Sequence, residues 1–289
     1  MKVSGFTIVR NAIKYDYPVI ESIQSLLPLV DELIVLVGNS DDETFELISS
    51  IQNQKLKIYQ SVWNDELREG GQVLALETDK CKKLVSDDSD WLFYLQADEV
   101  LHEKDYEKIR LELNAWKDDK RVEGILLKYK HFYGSYDFVG DFRRWYKHEI
   151  RIIRNDSAIK SYRDAQGFRI NGRKLHVKKC DATVYHYGWV KHPKFQQAKQ
   201  ESFHRMWHDD KWIKENVLSN DQFDYSKIDS LKKFEGIHPS TMHERIKKSN
   251  WKFDFDPSLK KFSFKNRLLY FVESKTGYRP GEYKNYKII

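Results

Sequence analysis

Only two of the 289 residues are cysteine, Cys81 and Cys180. Two isolated thiols without metal-ligand spacing exclude a disulfide framework and a cysteine-based zinc site, so both are expected to be reduced. Missing too is any apolar run approaching the roughly 20 residues that cross a bilayer. The stretch Val3 to Val9 is too short before Arg10 and Asn11 to act as a signal peptide, so the chain is expected to stay where it is made, in the cytoplasm. Glycine-rich turns of the forms GxGxxG and GxxxxGK(S/T) are absent, which excludes a dinucleotide fingerprint and a P-loop. There is no internal repeat and no linker rich in Pro, Gly or Ser, so any terminal appendage should pack on the main domain. RNP, KH, zinc-finger and homeodomain patterns are absent as well.

What is present is a globular mixture. Forty per cent of residues are hydrophobic and 33% charged, enough for one large domain or a domain with an appendage. Fifty Lys and Arg against 44 Asp and Glu leave a formal +6, which suits anionic partners without choosing among nucleotides, nucleic acid and an acidic membrane surface. The basic residues are scattered among acids, so no nucleic-acid partner is expected, while peripheral contact with the inner face of a membrane stays open.

In the first half, short apolar runs alternate with helical periodicity, the pattern of strands joined by crossover helices. Strands are predicted over Val3 to Val9, Glu32 to Val37, Lys55 to Val62 and Asp90 to Gln96. Helices are predicted over Tyr17 to Leu27, Glu43 to Ile51, Gln72 to Leu84 and Lys104 to Trp116. An open doubly wound sheet follows, in which ligands collect at the carboxyl ends of strands. Beyond Arg121, strands are predicted over Val122 to Tyr129, Glu149 to Ile153 and Ala182 to Tyr187, with an aromatic loop over His131 to Gly140. After Lys191 the sequence turns helical, basic and aromatic, with Phe195 to Trp207 its clearest helix and a mixed segment following to Ile289, and a soft boundary falls near 190.

Three strand ends are polar: Arg10-Asn11, Gly38 to Asp42, and Gln96 to Glu99. Asp98 and Glu99 follow a very apolar strand, which should fix two carboxylates where water and ligand reach them. Mg or Mn takes oxygen ligands, commonly one or two carboxylates plus substrate phosphates, so this end is a candidate metal site; complementing a helix dipole is the alternative. His186, flanked by Tyr185 and Tyr187, is a candidate second ligand, although a histidine among aromatics is more often structural. Asp164, in the loop Ser161 to Gly167, is the candidate general base for an acceptor hydroxyl, with Glu149 its rival. The segment Leu67 to Gln72 puts paired glycines before a helix, where backbone can approach a ligand and Arg68 can meet a phosphate; a plain helix entrance is the alternative.

Together these strand ends resemble the family 2 glycosyltransferases of GT-A fold, over roughly residues 1–190. Phe6-Thr7-Ile8-Val9-Arg10-Asn11 looks like that family's first strand, whose end lies under the nucleotide. Leu33 to Thr44 is similar to its second strand and following turn, and Gln96-Ala97-Asp98-Glu99 to its DxD-type metal and donor motif. His186 matches a position that completes the metal site in many relatives. The resemblance implies an α/β, GT-A type doubly wound mixed sheet over 1–190, with a helical C-terminal extension over 191–289 packed on it. Donor contacts are expected from Thr7, Val9, Asn11, Ser40, Arg68, Gln96 and Asp98, and a Mn or Mg ion on Asp98 and His186. The implied reaction is inverting transfer from a nucleoside-diphosphate sugar to a glycan, lipid-linked or polysaccharide acceptor, with Asp164 as base. Two departures stand out: Gln96 replaces the first Asp of the motif, and Val37-Gly38 occupies the place where relatives carry an acid for the base or ribose. A sugar nucleotidyltransferase and a non-catalytic nucleic-acid binder are the alternative readings.

Overall fold

The computed structural model describes residues 1–217 and 221–289. Strands β1 (Val3–Val9) and β2 (Glu32–Gly38) are buried at every position, as expected of central strands covered on both faces. Helix α1 (Val19–Leu26) joins them, α2 (Thr44–Ser49) leads to β3 (Leu56–Ser61), and α3 (Gln72–Lys82) leads to β4 (Trp91–Tyr94). β1 pairs in parallel with both β2 and β4, and β2 with β3. The strand order therefore switches direction between β1 and β4, whose carboxyl ends carry Arg10-Asn11 and Gln96 to Glu99; ligand crevices form at such a point.

Because successive side chains point to opposite faces, each strand feeds two cores. Val35, Trp91 and Phe93 join Val19, Ile23 and Leu26 of α1, together with Ile109 and Leu113 of α4 (Tyr106–Ala115). Phe6, Ile34, Leu36 and Tyr94 pack on the other side against Val73 and Cys81 of α3. Both cysteines are buried and free. Among the described residues no helix is long and apolar enough to cross a membrane.

The second half widens the sheet with antiparallel pairing. Short β5 (Glu99–Leu101) precedes α4, and then come β6 (Gly124–Tyr133), β7 (Ser135–Gly140) and β8 (His148–Arg154). β8 inserts antiparallel between β4 and β6. β9 (Ile159–Tyr162), β10 (Gly167–Ile170) and β11 (Arg173–Lys174) form a separate small sheet whose Ile159 and Phe168 join the α3-side core. The long β12 (His176–Trp189) pairs with β6 in parallel and with β5 antiparallel, in a register that sets His186 opposite Glu99.

Two expectations need correction. The aromatic segment 131–140 is a hairpin rather than a loop, turning at Gly134 with φ 73° and burying Phe132, Tyr136 and Val139. The tail is also only partly helical. It holds α5 (Pro193–Arg205), α6 (Asp210–Asn216), α7 (His243–Lys247) and α8 (Phe264–Thr276), but β13 (Leu231–Lys233) pairs with β7 and β14 (Lys287–Ile288) with β12. These strands cover backbone groups that the sheet would otherwise leave unpaired.

Candidate functional site

Asp98 and His186 meet at the switch point: Asp98 follows β4, His186 lies on β12, and Asp98 Oδ1 is 3.7 Å from His186 Nε2. Their roles follow from the hydrogen-bond network. The Tyr146 carbonyl can only accept, so His131 Nε2, 2.9 Å away, must donate to it. Burial pushes both imidazoles below their ordinary value, so both are neutral at pH 7. His131 Nδ1 is then bare and accepts from His186 Nδ1 at 3.0 Å, which leaves a lone pair on His186 Nε2. A lone pair and a carboxylate oxygen thus face each other and call for a cation. Gly188 leaves the space: a Cβ there would stand 2.6 Å from both Asp98 Oδ2 and His186 Nε2. An ion held by this pair would take its remaining ligands elsewhere, because no group of three or more His, Cys, Asp or Glu is poised for a metal among the described residues.

The neighbouring carboxylate has another fate. Glu99 is fully buried, not open to ligand, and its two oxygens take Arg151 Nε and Nη2 at 2.8 and 2.7 Å. The Tyr129 hydroxyl adds a third bond at 2.7 Å. The expectation of two accessible carboxylates is corrected: Glu99 is sealed in the core, and Asp98 is itself only 8% exposed.

Two lysines that sequence reasoning passed over surround Asp98. Lys199, on α5, donates to Asp98 Oδ2 at 3.0 Å and to the Gly188 carbonyl at 2.9 Å. Lys191 is fully buried, donates to the Tyr15 carbonyl at 2.7 Å, and lies 4.5 Å from the centre of the Tyr17 ring. Burial alone would raise the Asp98 carboxyl, but Lys199, with His186 and Lys191, outweighs it and holds the group well below the usual carboxylate range. A stand-in cation on the carboxylate, a cradle at Gly188 and an unprotonated imidazole nitrogen fit a divalent ion.

The other expected residues fall into three groups. Thr7 and Val9 are buried within β1, and Asn11 holds the strand end with φ 56°. Asn11 accepts from the Asp41 amide at 2.9 Å and gives its own amide to Ser40 Oγ at 3.0 Å, so these polar groups build the turn between the first two strand ends. Beside them the Trp63 ring fills the space over Gly38, and Arg10 pairs with Asp65. Arg68 is tied to Asp210 at 2.7 Å, an acid it shares with Arg205.

Asp164 and Gln96 form the third group. Gln96 Nε2 reaches the Ala165 carbonyl at 3.4 Å, and Asp164 packs so closely on Gly71 that a Cβ there would lie 2.7 Å from its own Cβ. Gly70 and Gly71 both have positive φ, and Gly71 N donates to the Met206 carbonyl at 3.2 Å. Arg163 and Ala165, on either side of Asp164, hold φ of 56° and 59°, strained values for residues with side chains. Burial raises the Asp164 carboxyl above its ordinary value. Glu149, the rival base, lines a separate cleft of about 260 Å3 with Gln166 and Asn285, and neither Asp98 nor Asp164 lines it.

No protein-family model matches the chain, and no curated protein matches it. Among solved structures it is similar to glycosyltransferases of GT-A fold at low sequence identity. S. aureus TarS aligns at 13% identity and TM-score 0.40, over 76% of this chain and 41% of that one, so the chain spans less than half of that structure's length. S. aureus TarS 1-349 in complex with UDP aligns at 15% and 0.41, over 76% and 68%. Glucosyl-3-phosphoglycerate synthase from Mycobacterium tuberculosis, in complex with Mn2+, uridine-diphosphate and phosphoglyceric acid, aligns at 20% and 0.28, over 45% and 43%.

Proposed function

We propose that the chain transfers a sugar from a nucleoside-diphosphate donor to a glycan or lipid-linked acceptor, with Asp98 and His186 holding a Mn or Mg ion and Asp164 acting as general base. The observation that carries this reading is the pair of acceptors, Asp98 Oδ1 and His186 Nε2, facing each other 3.7 Å apart at the switch point of the sheet. When bound, the ion supplies positive charge for the departing diphosphate. The chain's own residues do the rest. Asp98 stays ionised, His131 fixes the tautomer of His186, and Lys199 adds positive potential. Asp164, desolvated against Gly71, keeps a carboxyl of raised proton affinity ready for an acceptor hydroxyl. A cleft of about 690 Å3, lined among others by Lys130, Trp145, Tyr146 and Phe234, reaches this cluster only through His131, and neither Asp98 nor Asp164 lines it.

The test is a thermal-shift screen with UDP, GDP, CMP and dTDP, each with and without Mn or Mg, followed by donor turnover with the nucleotide that stabilises. A metal-dependent shift, and loss of turnover in a folded Asp98→Ala, are expected. Normal activity of Asp98→Ala would sink the assignment, and release of pyrophosphate instead of a nucleoside diphosphate would establish nucleotidyl transfer.

A further inference from the structure

Asp98 has two oxygens and two claims on them. Oδ1 faces the lone pair of His186, while Oδ2 accepts from Lys199 at 3.0 Å. Both side chains are mostly covered, Lys199 14% exposed and Asp98 12%. A carboxylate this enclosed is costly to leave uncompensated, so without an ion the ammonium has to sit on it. Among the described residues Lys199 has no other carboxylate partner; its remaining contacts are the Gly188 carbonyl at 2.9 Å and the Tyr17 ring at 4.9 Å. A divalent ion reaching the same carboxylate would meet this ammonium at close range and be repelled. Two like charges so near each other become compatible once an anion of high charge arrives to share them.

Lysine suits such an exchange, being a point charge on a flexible stem with three rotatable donors. Lys191 does not: it is fully buried and spends its ammonium on the carbonyls of Tyr15 and Asp16. Resting on the donor-site reading above, we propose that Lys199 is an exchangeable counter-ion that neutralises Asp98 in the free protein, opposes a divalent ion binding alone, and moves to the diphosphate of the donor. Ion and nucleotide then bind cooperatively, each strengthening the other by the same factor. Lys199 reaches the site from α5, so the tail supplies a working part of it.

The experiment measures Mn2+ binding by electron paramagnetic resonance, alone and with UDP, GDP or dTDP, on the full chain and two variants. Lys199→Met removes the competing charge, so Mn2+ alone should bind roughly tenfold tighter and the diphosphate weaker. Lys199→Arg can grip Asp98 with two nitrogens, so Mn2+ alone should bind more weakly than to the wild type. Circular dichroism checks that each is folded, and if Lys199→Met is not, the Arg variant alone decides. A supporting position for Lys199 would lower both affinities together in the Met variant; that result, or unchanged Mn2+ affinity in the folded variants, overturns the proposal. If Mn2+ binds no form of the chain, with or without a diphosphate, the donor-site reading itself fails, an outcome distinct from loss of the exchange alone.

Discussion

Glu149 gives the sharpest quantitative test of the electrostatics around this sheet. It is 5% exposed on β8, and burial raises its carboxyl from an ordinary 4.5 to about 7, against weaker pulls from Arg151 and the Ile150 amide. In the unfolded chain the group loses its proton near the ordinary value. Between pH 4.5 and about 7 the native state therefore holds a proton that the unfolded state has released, so this group's contribution to stability falls as pH rises through that window and is constant above it. At about 1.4 kcal/mol for each tenfold difference in proton affinity, the burden is on the order of 3 kcal/mol at pH 8. Glu149→Gln keeps the shape and an acceptor for the Ile150 amide but cannot ionise. Urea unfolding of both proteins, run in parallel from pH 4 to pH 8, isolates this one group because all others cancel in the difference. The variant should match the wild type at pH 4 and gain roughly 3 kcal/mol by pH 8. A difference that stays flat with pH, or grows towards acid, would refute the reasoning.

Gly188→Ala should abolish Mn2+ binding while leaving the fold intact, because its methyl would enter between Asp98 and His186 at 2.6 Å from each; Mn2+ affinity equal to the wild type would remove the ion from this place. Arg151→Met leaves Glu99 charged, buried and without its partner, a loss of about 3–5 kcal/mol in urea unfolding. Adding Glu99→Leu should recover part of that stability, and a single-variant loss under about 1 kcal/mol would show that the pair does not hold the sheet as described. Asp164→Asn should slow transfer by about a hundredfold to ten-thousandfold with donor affinity unchanged. In the wild type the rate should rise with pH through a midpoint above the ordinary aspartate value of 3.8, and the variant should lack that limb. A parallel fall in donor affinity would make Asp164 a binding residue instead.

How far the sequence foretells this molecule depends on where the information for each element sits. β1 runs from Val3 to Val9 as predicted, because a short apolar run bounded by Arg10 and Asn11 states its own limits. The hairpin 124–140 does not, since Phe132, Tyr133 and Tyr136 are buried alike and leave no alternation of polar and apolar residues to read. β13 and β14 have three and two residues, two of them lysines in β13, and exist as strands only because β7 and β12 present partners. Pairing of this kind is a property of the edge that receives the segment, which no local pattern encodes.

The same distinction divides the site. The closeness of Asp98 and His186, 3.7 Å apart, was legible in part because each ends or occupies a strand whose position follows from the chain itself. That Glu99 belongs to the core and Asp98 does not was not legible, since adjacent acids look alike until Arg151, 52 residues away, claims one of them. Lys199 is 101 residues from Asp98 and is one of 50 basic residues, with nothing in its own neighbourhood to mark it. The two acids differ, in the end, through the cations they receive. Glu99 gets a rigid guanidinium fork, two bonds from two nitrogens plus the Tyr129 hydroxyl, and is fixed as part of the core. Asp98 gets a single ammonium on a flexible stem and keeps one oxygen turned to an imidazole lone pair. Of two neighbouring carboxylates with the same charge, the second alone is held by one flexible ammonium, and that is the property the proposed exchange of Lys199 requires.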